Sequence, residues 1–408
     1  MLNSYKFFYS FKVKIVLIII SVLLCLVFSL KVSANSKNNG VILCDNHGEI
    51  IYSQNINQAF IPASTLKILT SLGAIYYLGE DFRFKTEFFL DKNLNLKIKG
   101  YGDPHLTSEN INNFCRDLAL ILKKKNVFII KSIIIDNSFF SSSIKIPGTQ
   151  NSLNPYDASV GAFCVNFNTI FFKYNLVKNK FISAEKETPL TPFAKKIVQE
   201  SNLKHGRIVI SKEESQIYAG VLARYFLEKQ GIIISEKVKL GIVQKNDKKI
   251  FTYKSFYNLK NIIKKLLKFS NNFMANQIFL TIGAKAFSPP ATLAKGIKAM
   301  ENYAGNELNI KKIKIVEGSG ISRKNRISPK EMLKILKGFK KYYYLMNNRK
   351  NEYFKTGTLN KICTRAGYYT NKNMKLYPFV IMVNKEEYQY RCNHIIGNLQ
   401  RIFNKIIN

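Results

Sequence analysis

Residues 60–79 read F-I-P-A-S-T-L-K-I-L-T-S-L-G-A-I-Y-Y-L-G, and the rest of the chain is interpreted outward from them. The pattern predicts a helix entered after Pro62, apolar on most of its faces and ended at Gly79. Ser64 falls in its first turn and Lys67 three residues on, so a hydroxyl and an amine share one face. A serine beside a desolvated amine at the positive end of a helix is set up as a nucleophile. Taken alone, the same serine is a helix cap. The spacing S-x-x-K starts at Ser64, Ser142, Ser183 and Ser201, but only at Ser64 does it open a long apolar helix.

Composition bounds the alternatives. A chain of 408 residues buries a large core and holds two or more domains. The net charge of +37 suits nucleic acid, anionic lipid or an anionic polymer as partner. Its lysines are scattered through every segment, without an arginine-rich stripe or a basic-aromatic RNA motif. Together with many Asn, Ile and Tyr residues and no Trp, this is a bias of the whole chain and not a nucleic-acid footprint.

At the N-terminus, Lys6, Lys12 and Lys14 precede an uncharged run over 15–30, followed by Val32-Ser33-Ala34. A basic flank, a short apolar stretch and small residues before a cleavage point make a secretory leader over 1–34. The run is short of the roughly 20 residues of a membrane span, with an uncleaved anchor as the alternative. Beyond the leader lie Cys44, Cys115, Cys164, Cys363 and Cys392, with no C-x-x-C. That supports neither a zinc ribbon nor a redox dithiol and leaves room for one disulfide whose partners the sequence does not assign. His47, His105, His205 and His394 match no metal-ligand spacing.

Along the chain, 41–51 reads as two short strands around an Asn-His-Gly turn, and 81–90 and 94–106 as further strands. A helix is expected over 109–124, a buried strand over 127–136, a loop over 137–155, and strand again over 162–174, continuing weakly to Ile210. Helices are expected over 215–230, 259–270, 271–284 and 292–304. The implied organisation is a core begun by 35–84, interrupted by a β-rich insertion over 85–212, and completed by 213–408.

Two more groupings bear chemistry. Ser270-Asn271-Asn272 lies between two helical patterns, where a hydroxyl and an amide two residues apart face one cleft only from an irregular turn. Lys355-Thr356-Gly357-Thr358, the sole K-T-G, precedes strand-like residues 366–369 and 377–384. On an edge strand Lys355 and Thr356 alternate faces, while Gly357 admits a close backbone or ligand, which suits β-augmentation by a substrate with an anionic end.

In the order S-x-x-K, S-x-N, K-T-G, these motifs form the penicillin-binding signature set. The chain resembles the class C low-molecular-weight penicillin-binding proteins, the D-Ala-D-Ala carboxypeptidase/endopeptidase group. G-Y-G-D-P-H-L (100–106) and V-N-F-N (165–168) look like that family's insertion strands, and G-S-G-I-S-R-K-N-R-I-S-P (318–329) is similar to its D-G-S-G-L-S-R-x-N segment, with Glu317 in place of the usual Asp. The resemblance implies an α+β fold: a transpeptidase-like core, an antiparallel sheet flanked by helices, with the insertion between S-x-x-K and S-x-N. It implies Ser64 as nucleophile, Lys67 as base, Asn272 orienting Lys67 and the substrate amide, and Ser270 relaying the proton to the leaving amine. Lys355, Thr356, Gly357 and Thr358 would bind the substrate, with the backbone N–H groups of Ser64 and Thr358 holding the oxyanion. No metal or cofactor enters. The implied partners are peptidoglycan stem peptides and β-lactams, with no nucleic acid, membrane contact only through an uncleaved leader, and a site of action in the periplasm or cell envelope. A β-lactamase-like hydrolase on the same fold, or an idle peptidoglycan-binding protein, are the alternatives.

Overall fold

The computed structural model describes residues 38–150, 152–385 and 388–407. The leader expected over 1–34 lies outside them. Among the described residues no helix is long and apolar enough to cross a membrane.

The chain begins in one apolar core, leaves it for a second, and returns. Strands β1 (Asn39–Cys44) and β2 (Ile50–Gln54) are joined by a turn in which the Asp45 carboxylate accepts from the N–H groups of His47, Gly48 and Glu49. Helix α1 (Leu66–Leu78) follows a 3-10 turn at Ala63–Thr65 and stops at Gly79, whose φ of +89° suits a residue without a Cβ.

The excursion holds β3 (Lys85–Leu90), β4 (Leu96–Gly100), α2 (Ser108–Lys124), β5 (Ile129–Ile130), β6 (Ile133–Asp136), β7 (Thr169–Asn175), β8 (Lys180–Ser183), α3 (Pro192–Glu200) and β9 (His205–Val209). It continues through α4 (Lys212–Lys229), β10 (Ile233–Ile234), β11 (Lys239–Leu240) and β12 (Lys248–Lys254). They form a five-stranded sheet in the order β11-β6-β4-β3-β12, a three-stranded sheet β8-β7-β9, and the pair β10-β5. Helix α2 shows why such a segment is legible. Thr107 and Asn110 cap it reciprocally, and Ile111, Phe114, Cys115, Leu118, Ala119 and Leu122 recur on one buried face.

Four expectations are corrected here. The insertion does not end at 212: α4 buries Tyr218, Ala219, Leu222 and Phe226 in the second core, and β12 pairs with β3, so the chain rejoins the first core only after β12. The strand expected over 127–136 is two short ones, because β5 pairs with β10 while β6 joins β4 and β11 in another sheet. The run 162–174 is strand only from Thr169; Asn166, Phe167 and Asn168 all have positive φ and form a left-handed turn. That turn is fixed by polar contacts, including Asn166 Oδ1 accepting from Ser108 N at 3.0 Å, which periodicity does not register. Finally α3, capped by Thr191 with Pro192 in its first turn, interrupts the stretch read as weak strand.

On its return the chain forms α5 (Leu259–Phe269), α6 (Asn272–Phe287), α7 (Leu293–Asn306) and α8 (Pro329–Phe339), then β13 (Asn347–Arg349), β14 (Glu352–Leu359), β15 (Ile362–Thr370), β16 (Leu376–Asn384) and α9 (Tyr388–Ile407). The resulting sheet runs β13-β14-β15-β16-β1-β2, with every pairing antiparallel. Its central strands are buried on both faces. On β16, Phe379, Ile381 and Val383 pack with α9, while Leu376, Val380 and Met382 pack with the core around α1 and α8. This is an α+β fold with an antiparallel sheet between helices, as expected. The disulfide left open by the sequence is Cys363–Cys392, which ties β15 to α9; Cys44, Cys115 and Cys164 are free and buried.

Candidate active site

Three elements meet at the start of α1. The turn before it is tight: Ala63 sits at φ +46°, a left-handed conformation unusual for a residue with a Cβ. Two glycines let neighbours close onto it. A Cβ on Gly357 would lie 2.7 Å from Ser64 N, and one on Gly320 would lie 1.8 Å from the Ala63 carbonyl oxygen. From β15, Thr364 Oγ1 donates to the Pro62 carbonyl at 2.7 Å, locking the sheet to the turn. Ser64 is thus presented from a turn clamped between β14 and the 318–320 loop.

Lys67, fully buried on α1, places Nζ 2.9 Å from Ser64 Oγ, 2.8 Å from Asn272 Oδ1 and 2.7 Å from the Ser319 carbonyl oxygen. Asn272 reaches it because α5 ends at Ser270 in a left-handed conformation, φ +54°, and Asn271 caps α6 by accepting from Met274 N. The Ser319 carbonyl is aimed by a loop held from several sides. Gly318 N donates to Asn276 Oδ1, Thr70 Oγ1 donates to the Gly318 carbonyl, and Glu317 accepts from Ser319 N, Ser319 Oγ, Gly320 N, Ser322 N and Asn325 Nδ2. The longer Glu317 side chain, in place of the usual Asp, is therefore buried with both oxygens engaged.

Electrostatics follow from this burial. Loss of water around Lys67 pushes its amine well below the usual lysine range, the nearby Lys355 charge pushes it further, and Glu317 pulls weakly the other way. Lys355, buried on β14 with Nζ donating to the Thr356 carbonyl at 2.7 Å, is brought down to about 8 by burial. Neither lysine has a carboxylate within ion-pair distance among the described residues.

The expected site residues Ser64, Lys67, Asn272 and Gly357 come together directly. Ser270 lies on the turn beside them, outside the hydrogen bonds of Lys67. Lys355 neighbours the cluster through its charge. Thr356 and Thr358 are exposed on β14. Strand β13 pairs only with Glu352, Tyr353 and Phe354, so the β14 edge beyond Phe354 has no strand beside it. Sequence reading missed the Ser319 carbonyl as the third partner of Lys67 and Thr364 as the clamp on Pro62. The G-S-G motif marked the first; nothing in the sequence marked the second.

Comparison with known proteins bears on the family and the fold. The family model described as D-Ala-D-Ala carboxypeptidase 3 (S13) matches residues 31–206 and 197–347. The chain is 23% identical over 404 residues to D-alanyl-D-alanine carboxypeptidase DacB of Haemophilus influenzae, with 83% of each chain covered. It is 22% identical over 346 residues to a D-alanyl-D-alanine carboxypeptidase of an Actinomadura species, covering 73% of this chain and 64% of that one. In fold it is similar to the crystal structure of penicillin binding protein 4 from Haemophilus influenzae, with a TM-score of 0.71 at 22% identity, covering 86% of this chain and 91% of that one. A predatory peptidoglycan endopeptidase from Bdellovibrio bacteriovorus matches at a TM-score of 0.53 and 18% identity, covering 90% and 92%. A family model that spans most of the chain, over a fold of the same kind, decides the matter: this protein belongs to the D-Ala-D-Ala carboxypeptidase 3 (S13) family.

Proposed function

We propose that the protein is a serine-type D-alanyl-D-alanine carboxypeptidase/endopeptidase of the cell envelope that acts on peptidoglycan stem peptides through a Ser64 acyl-enzyme. The observation that supports this best is Lys67: buried, without an ion-pair partner among the described residues, and 2.9 Å from Ser64 Oγ. A neutral amine has two N–H bonds and one lone pair. The Asn272 Oδ1 and the Ser319 carbonyl take the two N–H bonds, which turns the lone pair toward the Ser64 hydroxyl. Ser64 Oγ then attacks the D-Ala carbonyl carbon as its proton passes to Lys67. The oxyanion is held by the backbone N–H groups of Ser64 and Thr358. Collapse breaks the peptide bond, and the departing amine takes a proton from Lys67 by way of Ser270. Water repeats the sequence on the ester and frees Ser64. The substrate backbone lies along the open β14 edge, its carboxylate at Lys355 and Thr356, with Gly357 giving it room.

Labelling with a fluorescent penicillin tests the nucleophile. Wild-type protein takes up the label and Ser64→Ala does not; equal labelling of the two would overturn the assignment. Mass spectrometry of muropeptides digested by the pure protein separates the two activities, because loss of terminal D-Ala and loss of cross-linked dimers give different products.

A further inference from the structure

The sheet β8-β7-β9 packs Ile170 and Phe172 into the second core, but the tip of its β7–β8 hairpin serves neither core. At its tip Leu176 is 85% and Val177 97% exposed, the two most exposed large apolar side chains among the described residues. The tip is built to present them. Asn175 Oδ1 accepts from Lys178 N at 2.9 Å, Asn179 N donates to the Leu176 carbonyl at 3.3 Å, and the Tyr174 hydroxyl bonds Asn179. Tyr174 N also donates to the Lys204 carbonyl at 2.7 Å, which brings the neighbouring 201–204 turn alongside with Leu203 43% exposed. Lys173, Lys178, Lys180 and Lys204 are exposed around these three apolar residues, and neither 171–184 nor 201–205 contains an Asp or Glu.

A fixed apolar point costs solvation free energy unless something covers it, and a ring of cations without counter-charges selects what does. We propose that the β7–β8 hairpin is a docking point for an anionic membrane surface. Leu176 and Val177 enter the boundary between headgroups and acyl chains while the four lysines sit among lipid phosphates. Contact with the bilayer would then not depend on the leader.

The test must separate this from the attraction of a chain with net charge +37. The double substitution Leu176→Asn/Val177→Asn leaves the charge unchanged. In co-sedimentation with phosphatidylglycerol/phosphatidylcholine vesicles at about 0.15 M salt, where long-range charge effects are screened, its binding should fall at least about tenfold. Penicillin labelling of the variant at the wild-type rate confirms an intact fold. Because the chain has no Trp, Val177→Trp supplies a single reporter whose emission should shift to the blue with these vesicles and not with pure phosphatidylcholine. Undiminished vesicle binding by the double variant, or an unshifted Val177→Trp emission with anionic vesicles, would overturn the proposal. The first outcome would leave overall charge as the cause of association, and the second would show that the tip stays in water.

Discussion

Buried charge is handled in opposite ways in the insertion sheet and in the cleft that holds Lys67. In the insertion sheet each buried ion meets its opposite. Lys97 Nζ lies 2.8 Å from Asp247 and 3.9 Å from Asp91, Lys99 lies 3.3 Å from Asp136, and Glu87 is met by Lys85, Lys249 and the Tyr101 hydroxyl. Burial alone would push the Glu87 carboxyl up, but these partners outweigh it and hold it below the usual carboxylate range. In the cleft, Lys67 and Lys355 are buried as deeply and are given neutral acceptors instead of carboxylates. Paired charges remain charged and hold strands together. Burial without a counter-charge lowers the hold of an amine on its proton, which suits Lys67 to the base role proposed for it, while Lys355, at about 8, keeps its charge at neutral pH.

Lys67 and Lys97 should respond to truncation in opposite ways. Lys67→Ala should lower the rate of penicillin acylation by about 10³-fold or more, within the range of general-base catalysis, while circular dichroism shows an intact fold. Lys97→Ala should do the reverse: acylation holds, but urea denaturation shows a loss of about 3 kcal/mol, because Asp247 and Asp91 are left buried without their cation. If Lys67→Ala acylated normally, the distinction between the insertion sheet and the cleft would fail.

Gly357→Ala comes next. A Cβ there has only 2.7 Å to Ser64 N, so β14 must move away from the nucleophile, and displacement on that scale costs about 10²-fold in acylation rate. Stopped-flow labelling would read it, with thermal melting as a check that the sheet survives.

The pH profile sharpens the point further. With Lys355 at about 8, the cation that receives the substrate carboxylate is lost as pH rises through that value, so kcat/KM should fall about tenfold per pH unit above it. The acid limb runs the other way, since Lys67 must lose its proton to act. Lys355→Arg, which stays protonated, should remove the alkaline limb. A limb that persists in this variant would assign it to another group.

The smallest effect is expected at Glu317. In Glu317→Gln an acceptor oxygen becomes a donor facing the N–H groups of the 318–322 loop, which loosens the Ser319 carbonyl beneath Lys67. Acylation should fall about tenfold and stability by about 1–3 kcal/mol, whereas Glu317→Asp stays near wild type in the same two measurements.

The sequence by itself determined the elements that local chemistry specifies. A long apolar run and Gly79 set α1, the three-residue spacing set Ser64 beside Lys67, and the apolar run over 377–384 announced β16. What failed was local pattern overruled by distant partners. Left-handed Asn166, Phe167 and Asn168 answer to polar contacts that include Ser108, and α4 and β12 follow the boundary drawn at 212 yet pack with strands far upstream. The downward shift of the Lys67 amine, by contrast, comes from the folded structure alone. Its acceptors come from Asn272, 205 residues away, and Ser319, 252 residues away, and its desolvation comes from a core assembled by both ends of the chain. A residue's identity is written in the sequence, but its protonation state depends on what surrounds it, and those surroundings exist only once the chain has folded.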